Sequence, residues 1–301
     1  MSRLTGLRVH AADVVLLAVG VVGVSASAPL IAAMASVPAL AIAFWRMAIA
    51  TVVTAPMGAH RQALRRLSAS DLRMTALSAL ALAAHFALWV TSLKLTSVAS
   101  ATALVCLQAG WVVLLAWMGG VRPDRRTGVG LVVCFAGVLV VTGVDFTVSP
   151  EALLGDLLAL LGGVGSAVYM IVGGRVRQRA NTMVYTLLCY GVCSLVLVVV
   201  CAAGAVPLVG FATDDWVKLV ALALASQLLG HSVINHLLAT ISPTVVSLVI
   251  LLEVPGAALL AGLFLGQTPP LGVYVGLAVL LCGLAVVTAA RREVPATAPP
   301  D

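Results

Sequence analysis

Charge is what this chain has least of: Asp, Glu, Lys and Arg make up 9% of its 301 residues, against 62% hydrophobic, with a mean hydropathy of +1.15. That balance excludes a soluble globular domain and leaves a polytopic membrane protein. Lysine is almost missing, with only Lys94 and Lys218 beside fifteen arginines. Together with heavy use of Ala, Val and Gly, this bias points to a bacterium with a GC-rich genome. Reaction motifs are missing too: there is no Walker sequence, no HExxH, no GxSxG and no pair of carboxylates at useful spacing, so ATP-driven pumping and hydrolysis are not expected. The six cysteines all fall in apolar runs with no CxxC, and they read as small core residues. No metal site or cofactor is expected.

Long apolar runs are abundant. Ten are near the 20 residues needed to cross a core of about 30 Å: Val14 to Met34, Ala39 to Ala59, Met74 to Leu93, Val98 to Met118, Gly128 to Val144, Ala152 to Gly173, Met183 to Ala203, Trp216 to Ala239, Thr244 to Leu265 and Leu271 to Ala289. The fifth is the shortest. Near the N-terminus, Arg3, Arg8 and the small residues Ala26-Ser27-Ala28 imitate a cleaved signal peptide. The apolar run continues through Pro29 to Met34, which favours a retained span.

The loops check this count. With a cytoplasmic N-terminus, the inner segments hold Arg3, Arg8, Arg61, Arg65, Arg66, Arg73, Arg122, Arg125, Arg126, Arg175, Arg177, Arg179, Arg291 and Arg292, fourteen of the seventeen basic residues. The outer connections hold Asp145, Glu151, Asp156, Asp214 and Asp215. Adding or losing one span would reverse every later loop, so the asymmetry supports ten spans with both termini cytoplasmic. The net charge of +6 is thus spent on topology rather than on nucleic acid. The tail from Val294 to Asp301 is expected to be disordered.

An internal repeat organises the chain. Thr96 to Trp111 aligns with Ile241 to Gly256 at an offset of 145, which matches Ser97 to Ser242 and Gln108 to Glu253. Upstream in each half stands a histidine followed four residues later by a polar or aromatic residue: His85 and Trp89, then His231 and Asn235. Five helices per half is an odd number, so residues 1–150 and 151–293 form two repeats of opposite orientation. Inverted repeats are a transporter architecture, with the binding site at the midplane.

Depth picks out the candidate residues. At 1.5 Å per residue, Glu253 lies roughly 13 Å from the inner edge, His231 roughly 12 Å, and His85 and Gln108 roughly 15 to 16 Å deep. A carboxylate at that depth marks a functional site by default, although a protonated acid bonded to a neighbouring helix would also account for it. Gln227, His231 and Asn235 follow at i, i+4 and i+8, forming one stripe. Pro255 should bend the ninth helix and free the Leu251 carbonyl beside Glu253. Trp89 and Trp111 fit either packing or a cavity wall. Arg46 is too deep to snorkel and needs a partner, a protein carboxylate or an anionic substrate. The GxxxG matches at Gly262 and Gly272 report close packing and imply no oligomer.

These stretches carry a resemblance. AFWRMAIA (Ala43 to Ala50), HFALWVTSLKLTSVASATAL (His85 to Leu104) and GHSVINHLLATISPTVVSLVILLEVPGAALLAGLFLGQ (Gly230 to Gln267) resemble the EamA-type branch of the drug/metabolite transporter superfamily, over almost the whole chain from about Asp13 to Arg292. Membership implies ten transmembrane helices in two inverted five-helix repeats, a central cavity, and alternating-access export or exchange of small metabolites. Two departures stand out. Family members often have Glu followed directly by Pro in the ninth helix, where this chain has Glu253-Val254-Pro255, and many end that helix with Gly-Glu, where it has Gly266-Gln267.

The expectation is therefore a proton-exchanging exporter of a small metabolite or amphiphilic compound in a bacterial inner membrane. Glu253 would be the coupling acid, His85, His231, Asn235 and Gln108 would bind substrate or relay protons, and Arg46 would orient a carboxylate or hold a helix. An uncoupled facilitator of the same fold is the alternative, and a membrane scaffold or receptor is the alternative of another class.

Overall fold

Local signals place most helix starts. Ser68 and Asp71 form a reciprocal capping box at the head of one helix. Ser149-Pro150 and Ser242-Pro243 each supply a capping hydroxyl followed by proline in the first turn, and Asn181 caps another start. The structure, a computed structural model, describes residues 11–59, 64–65, 67–96, 98–142, 149–265 and 271–290. Arg3, Arg8, Arg61, Arg66, Ser97, Asp145, Gly266-Gln267, Arg291, Arg292 and the tail from Val294 lie outside the described residues.

All regular structure among the described residues is helical. In order the helices are α1 (Ala11–Ser25), α2 (Ser27–Ala32), α3 (Ala39–Gly58), α4 (Ala69–Ser92), α5 (Val98–Cys106), α6 (Gln108–Met118), α7 (Arg125–Thr142), α8 (Pro150–Arg177), α9 (Thr182–Ala203) and α10 (Thr213–Leu222). A π-helix (Ala223–Ser232) continues α10 into α11 (Val233–Leu237). Then come α12 (Pro243–Ile250), α13 (Glu253–Leu265) and α14 (Leu271–Ala290).

Helices thus stand at all ten expected positions, the first, fourth, eighth and ninth in pieces. Within the described residues, eight of the ten are long and apolar enough to cross a membrane. The exceptions are α7 and α14. The former starts on Arg125 and Arg126 and runs only 18 residues, and the latter contributes the shorter apolar stretch Tyr274–Gly283. These two pack along each other.

Helix contacts survive an exchange of the halves. The fold pairs α4 with α8 and, five positions on, the π-helix with α1. Likewise α9 packs on α4 as α3 packs on the π-helix, and α5 and α6 lie on α8 as α12 and α13 lie on α1. The pairs α3 with α9 and α7 with α14 map onto themselves. Glycine permits two close crossings within these pairs: a Cβ on Gly23 would sit 2.7 Å from the Gly230 nitrogen, and one on Gly165 would sit 2.9 Å from the Ala81 carbonyl. Apolar side chains such as Val52, Leu139 and Leu195 face outward, as a lipid solvent requires. Polar residues are drawn inward instead, and Arg46 is among the largest fully buried side chains.

Candidate functional site

Two helix breaks build the centre. Between α5 and α6 the chain leaves the helix at Leu107, and between α12 and α13 it does so at Leu251 and Leu252, so Gln108 and Glu253 each open a half-helix. The breaks fall at equivalent places in the 145-residue offset. In the first break the Gly110 N–H donates to the Leu107 carbonyl at 2.9 Å, a tightened i→i+3 turn, and Gln108 and Glu253 both line one small cavity. Pro255, in the first turn of α13, accounts for only one of the breaks, because α6 begins without a proline. The expected free carbonyl is not there: Leu251 accepts from the Val254 N–H at 3.2 Å, a shorter i→i+3 bond that closes the turn.

The cavity is lined from both halves, by Ser27, His85, Trp89 and Gln108 of the first and Ser166, His231 and Glu253 of the second, among apolar neighbours. About 20 Å³ is open to the centre of a water molecule, enough for a water and too little for a metabolite. The centre is therefore too narrow to hold a substrate as it stands. Its polar atoms are left wanting: Trp89 Nε1, Gln108 Oε1 and His231 Nδ1 are buried without a hydrogen-bond partner, at a cost that a ligand or an ordered water would remove.

Ring contacts join the two histidines. His85 stacks on Trp89 with centroids 5.9 Å apart and planes 8° apart, and lies 6.3 Å from His231. Because a carbonyl can only accept, the 3.0 Å contact between His85 Nδ1 and the Gly162 oxygen puts a proton on Nδ1. In the neutral ring Nε2 is then the acceptor. His231 also meets Phe86 edge-on at 5.3 Å and Tyr169 at 6.3 Å.

Behind this wall sits Arg46, which touches no carboxylate among the described residues. Its Nε donates to Gln227 Oε1 at 2.7 Å, its Nη1 donates to Ser27 Oγ at 3.2 Å, and its guanidinium carbon lies 4.0 Å above the centre of the Phe86 ring. Both oxygen partners are neutral. Nη2 and the Gln227 Nε2 are buried without partners. Of the two partners expected for Arg46, a protein carboxylate or an anionic substrate, the first is replaced among the described residues by an amide, a hydroxyl and an aromatic face, and Arg46 reaches the cavity only through Ser27.

The expected stripe on the eighth helix splits. The Gln227 carbonyl accepts from the Ser232 hydroxyl at 3.2 Å and from the Tyr190 hydroxyl at 3.3 Å, which loosens the ladder into π geometry. Gln227 then faces Arg46, while His231 faces the cavity. Asn235 lies outside it, with its side chain accepting from the Tyr169 hydroxyl and donating to Thr186 Oγ1 at 3.5 Å. Trp111 packs against the core away from the lining, and Pro255 is buried without lining the cavity. So five of the expected residues meet in the cavity: Glu253, His231, His85, Trp89 and Gln108. Ser27, Phe86, Ser166 and Tyr169 were not anticipated. A usable signal existed for Ser27, since the small-residue run at Ala26-Ser27-Ala28 is the break between α1 and α2.

Among the described residues no group of three or more His, Cys, Asp or Glu could hold a metal. No curated protein matches the chain. Solved structures share the fold: one, described only as "Crystal structure of protein", superposes with a TM-score of 0.75 over 95% of this chain and 100% of its own, at 20% identity. The model of the EamA-like transporter family matches twice, over residues 12–143 and 153–289, a repeat that agrees with the exchange of helix contacts. Spanning nearly the whole chain in two copies, that match makes this multi-pass membrane protein a member of the EamA-like transporter family, within the drug/metabolite transporter superfamily.

Proposed function

We propose that the protein is a secondary-active, alternating-access exporter of a small metabolite or amphiphilic compound, driven by proton exchange in the inner membrane of a bacterium. Its chain crosses the membrane ten times, as two inverted repeats covering residues 1–150 and 151–293, with both termini cytoplasmic. The observation that carries this reading is the small central cavity, where Gln108 and Glu253 open equivalent half-helices and His85 of one half faces His231 of the other. Such half-helix ends at a repeat interface suit a site that binds from either side in turn. Glu253 is the only acid lining the cavity among the described residues. It takes the proton from outside and releases it inward while substrate moves the other way. Trp89, Gln108 and His231 offer the unpartnered polar atoms that meet substrate, and Arg46 orients a substrate carboxylate when the centre opens. Family membership supports transport over catalysis.

The test is flux in liposomes. Glu253→Gln should abolish substrate movement driven by a pH gradient while leaving substrate counterflow measurable. Unchanged pH-driven flux in that variant removes Glu253 from coupling, and a parent protein indifferent to collapse of the gradient is a facilitator.

A further inference from the structure

We propose that the bundle is shut by two clasps at its opposite ends, Lys94 and Lys218 holding the end of α2 and Arg177 holding the end of α11, and that releasing one while the other holds gives the cavity access to one side. At the first end, α2 stops at Ala32 and leaves carbonyls pointing onward with the negative end of the helix dipole. Lys218 Nζ donates to the Ala33 carbonyl at 3.2 Å and Lys94 Nζ to the Met34 carbonyl at 2.7 Å. Lys218 lies in α10 and Lys94 in the turn that follows α4, the two positions that exchange between the halves. Ser36 adds a third tie, donating to Asp215 Oδ2 at 2.9 Å. Lys218 is also paired with Asp214 and lies 3.9 Å from Asp215. One turn of chain after the first membrane helix is thus pinned by three side chains, two from α10 and one from the turn after α4.

The second clasp is its counterpart in the other half. Arg177, buried at the end of α8, sends Nε to the Asn235 carbonyl at 2.9 Å and its other nitrogens to the Ala180 carbonyl and Thr182 Oγ1. In the first clasp the end of the first helix position is held, and in the second the end of the sixth does the holding, five positions on. Seventeen residues of the eighth helix separate Lys218 from Asn235, about 25 Å at the helical rise, so the clasps stand at opposite ends with the cavity between them. Both are closed, and the cavity is correspondingly too small for a metabolite. Each clasp is a cation on backbone carbonyls, which water can replace at modest net cost, whereas the apolar crossings around them would have to be pulled apart. Lys94, Lys218 and Arg177 do not line the cavity, so releasing them changes access without changing the binding surface.

The inference rests on the proposed transport function, and on the ten-span topology only for calling the lysine end outer. With the native cysteines replaced and Val105→Cys placed in the cavity wall, labelling by a membrane-impermeant charged thiol reagent is timed from each side, in cells and in inverted vesicles. Lys94→Met with Lys218→Met should speed labelling about 10-fold from the outer side only, and Arg177→Met from the inner side only. Should the double variant fail to elute as a single species, each lysine replaced alone carries the same test. Labelling that rises equally from both sides, or that stays at the parent rate in well-folded variants, overturns the clasps. If the two sides are interchanged, the clasps stand and the assigned orientation falls.

Discussion

Replacing Arg46 with methionine separates a role in the site from a role in holding helices together. Arg46 makes two hydrogen bonds, to Gln227 and Ser27, and one ring contact, to Phe86. At about 1.5–3 kcal/mol for each charged hydrogen bond and about 2 kcal/mol for a desolvated cation–π contact, removal forfeits about 5–8 kcal/mol. Against this, the buried guanidinium no longer has to be stripped of water, a penalty of several kcal/mol per ion. Its unpartnered Nη2 disappears as well, recovering about 1–3 kcal/mol, which the Gln227 Oε1 left without its donor offsets. The terms cancel to within about 2 kcal/mol, and methionine fills most of the space with a flexible chain. Arg46→Met should therefore melt within roughly 5 °C of the parent in detergent and elute as the same single species, yet lose substrate flux in liposomes. Arg46→Ala, which adds a cavity, should cost about 2–5 kcal/mol more. A methionine variant that is well folded and transports normally refutes the functional role. One that unfolds shows Arg46 to be a structural pin.

Gly23→Ala would put a methyl group 2.7 Å from the Gly230 nitrogen, with backbone on both sides. It should destabilise by about 1–3 kcal/mol, read as a lower melting temperature in detergent. Tyr169→Phe removes the donor to Asn235 Oδ1 and leaves a buried acceptor unpaired, so a loss of about 1–3 kcal/mol is expected, with substrate affinity measured on the folded fraction unchanged.

The sequence disclosed the helical positions and the cavity better than it disclosed the wiring. Depth and the 145-residue offset brought together His85, His231, Gln108 and Glu253 because rise per residue is insensitive to tertiary context. Direction around a helix is not. Extrapolating an α-helical stripe from Gln227 through Asn235 failed because hydroxyls of Ser232 and Tyr190 take the Gln227 carbonyl, a competition that depends on a tyrosine 37 residues away. Likewise the partners of Arg46 could not be found by looking for a carboxylate, since a buried cation can be held by an amide, a hydroxyl and a ring. The unforeseen residues Phe86 and Tyr169 are ordinary core residues by composition, and only packing sets them against His231.

The equivalence of Gln108 and Glu253 bears on why one half would carry the proton. Both side chains start a half-helix at equivalent positions and line the same cavity, so the fold prepares the same seat twice. Glutamine fills one seat with a neutral group of nearly the same shape, and its Oε1 is still unpartnered. A second carboxylate there would face Glu253 across a cavity barely large enough for a water, and two acids that close do not ionise independently. One acid and one amide keep the two seats geometrically matched while giving the pair a single ionisable proton. On this argument stoichiometry is set at position 108. Gln108→Glu should raise the number of protons exchanged per substrate, read from reversal potentials in liposomes, and an unchanged stoichiometry would show that the first seat does not take part in coupling.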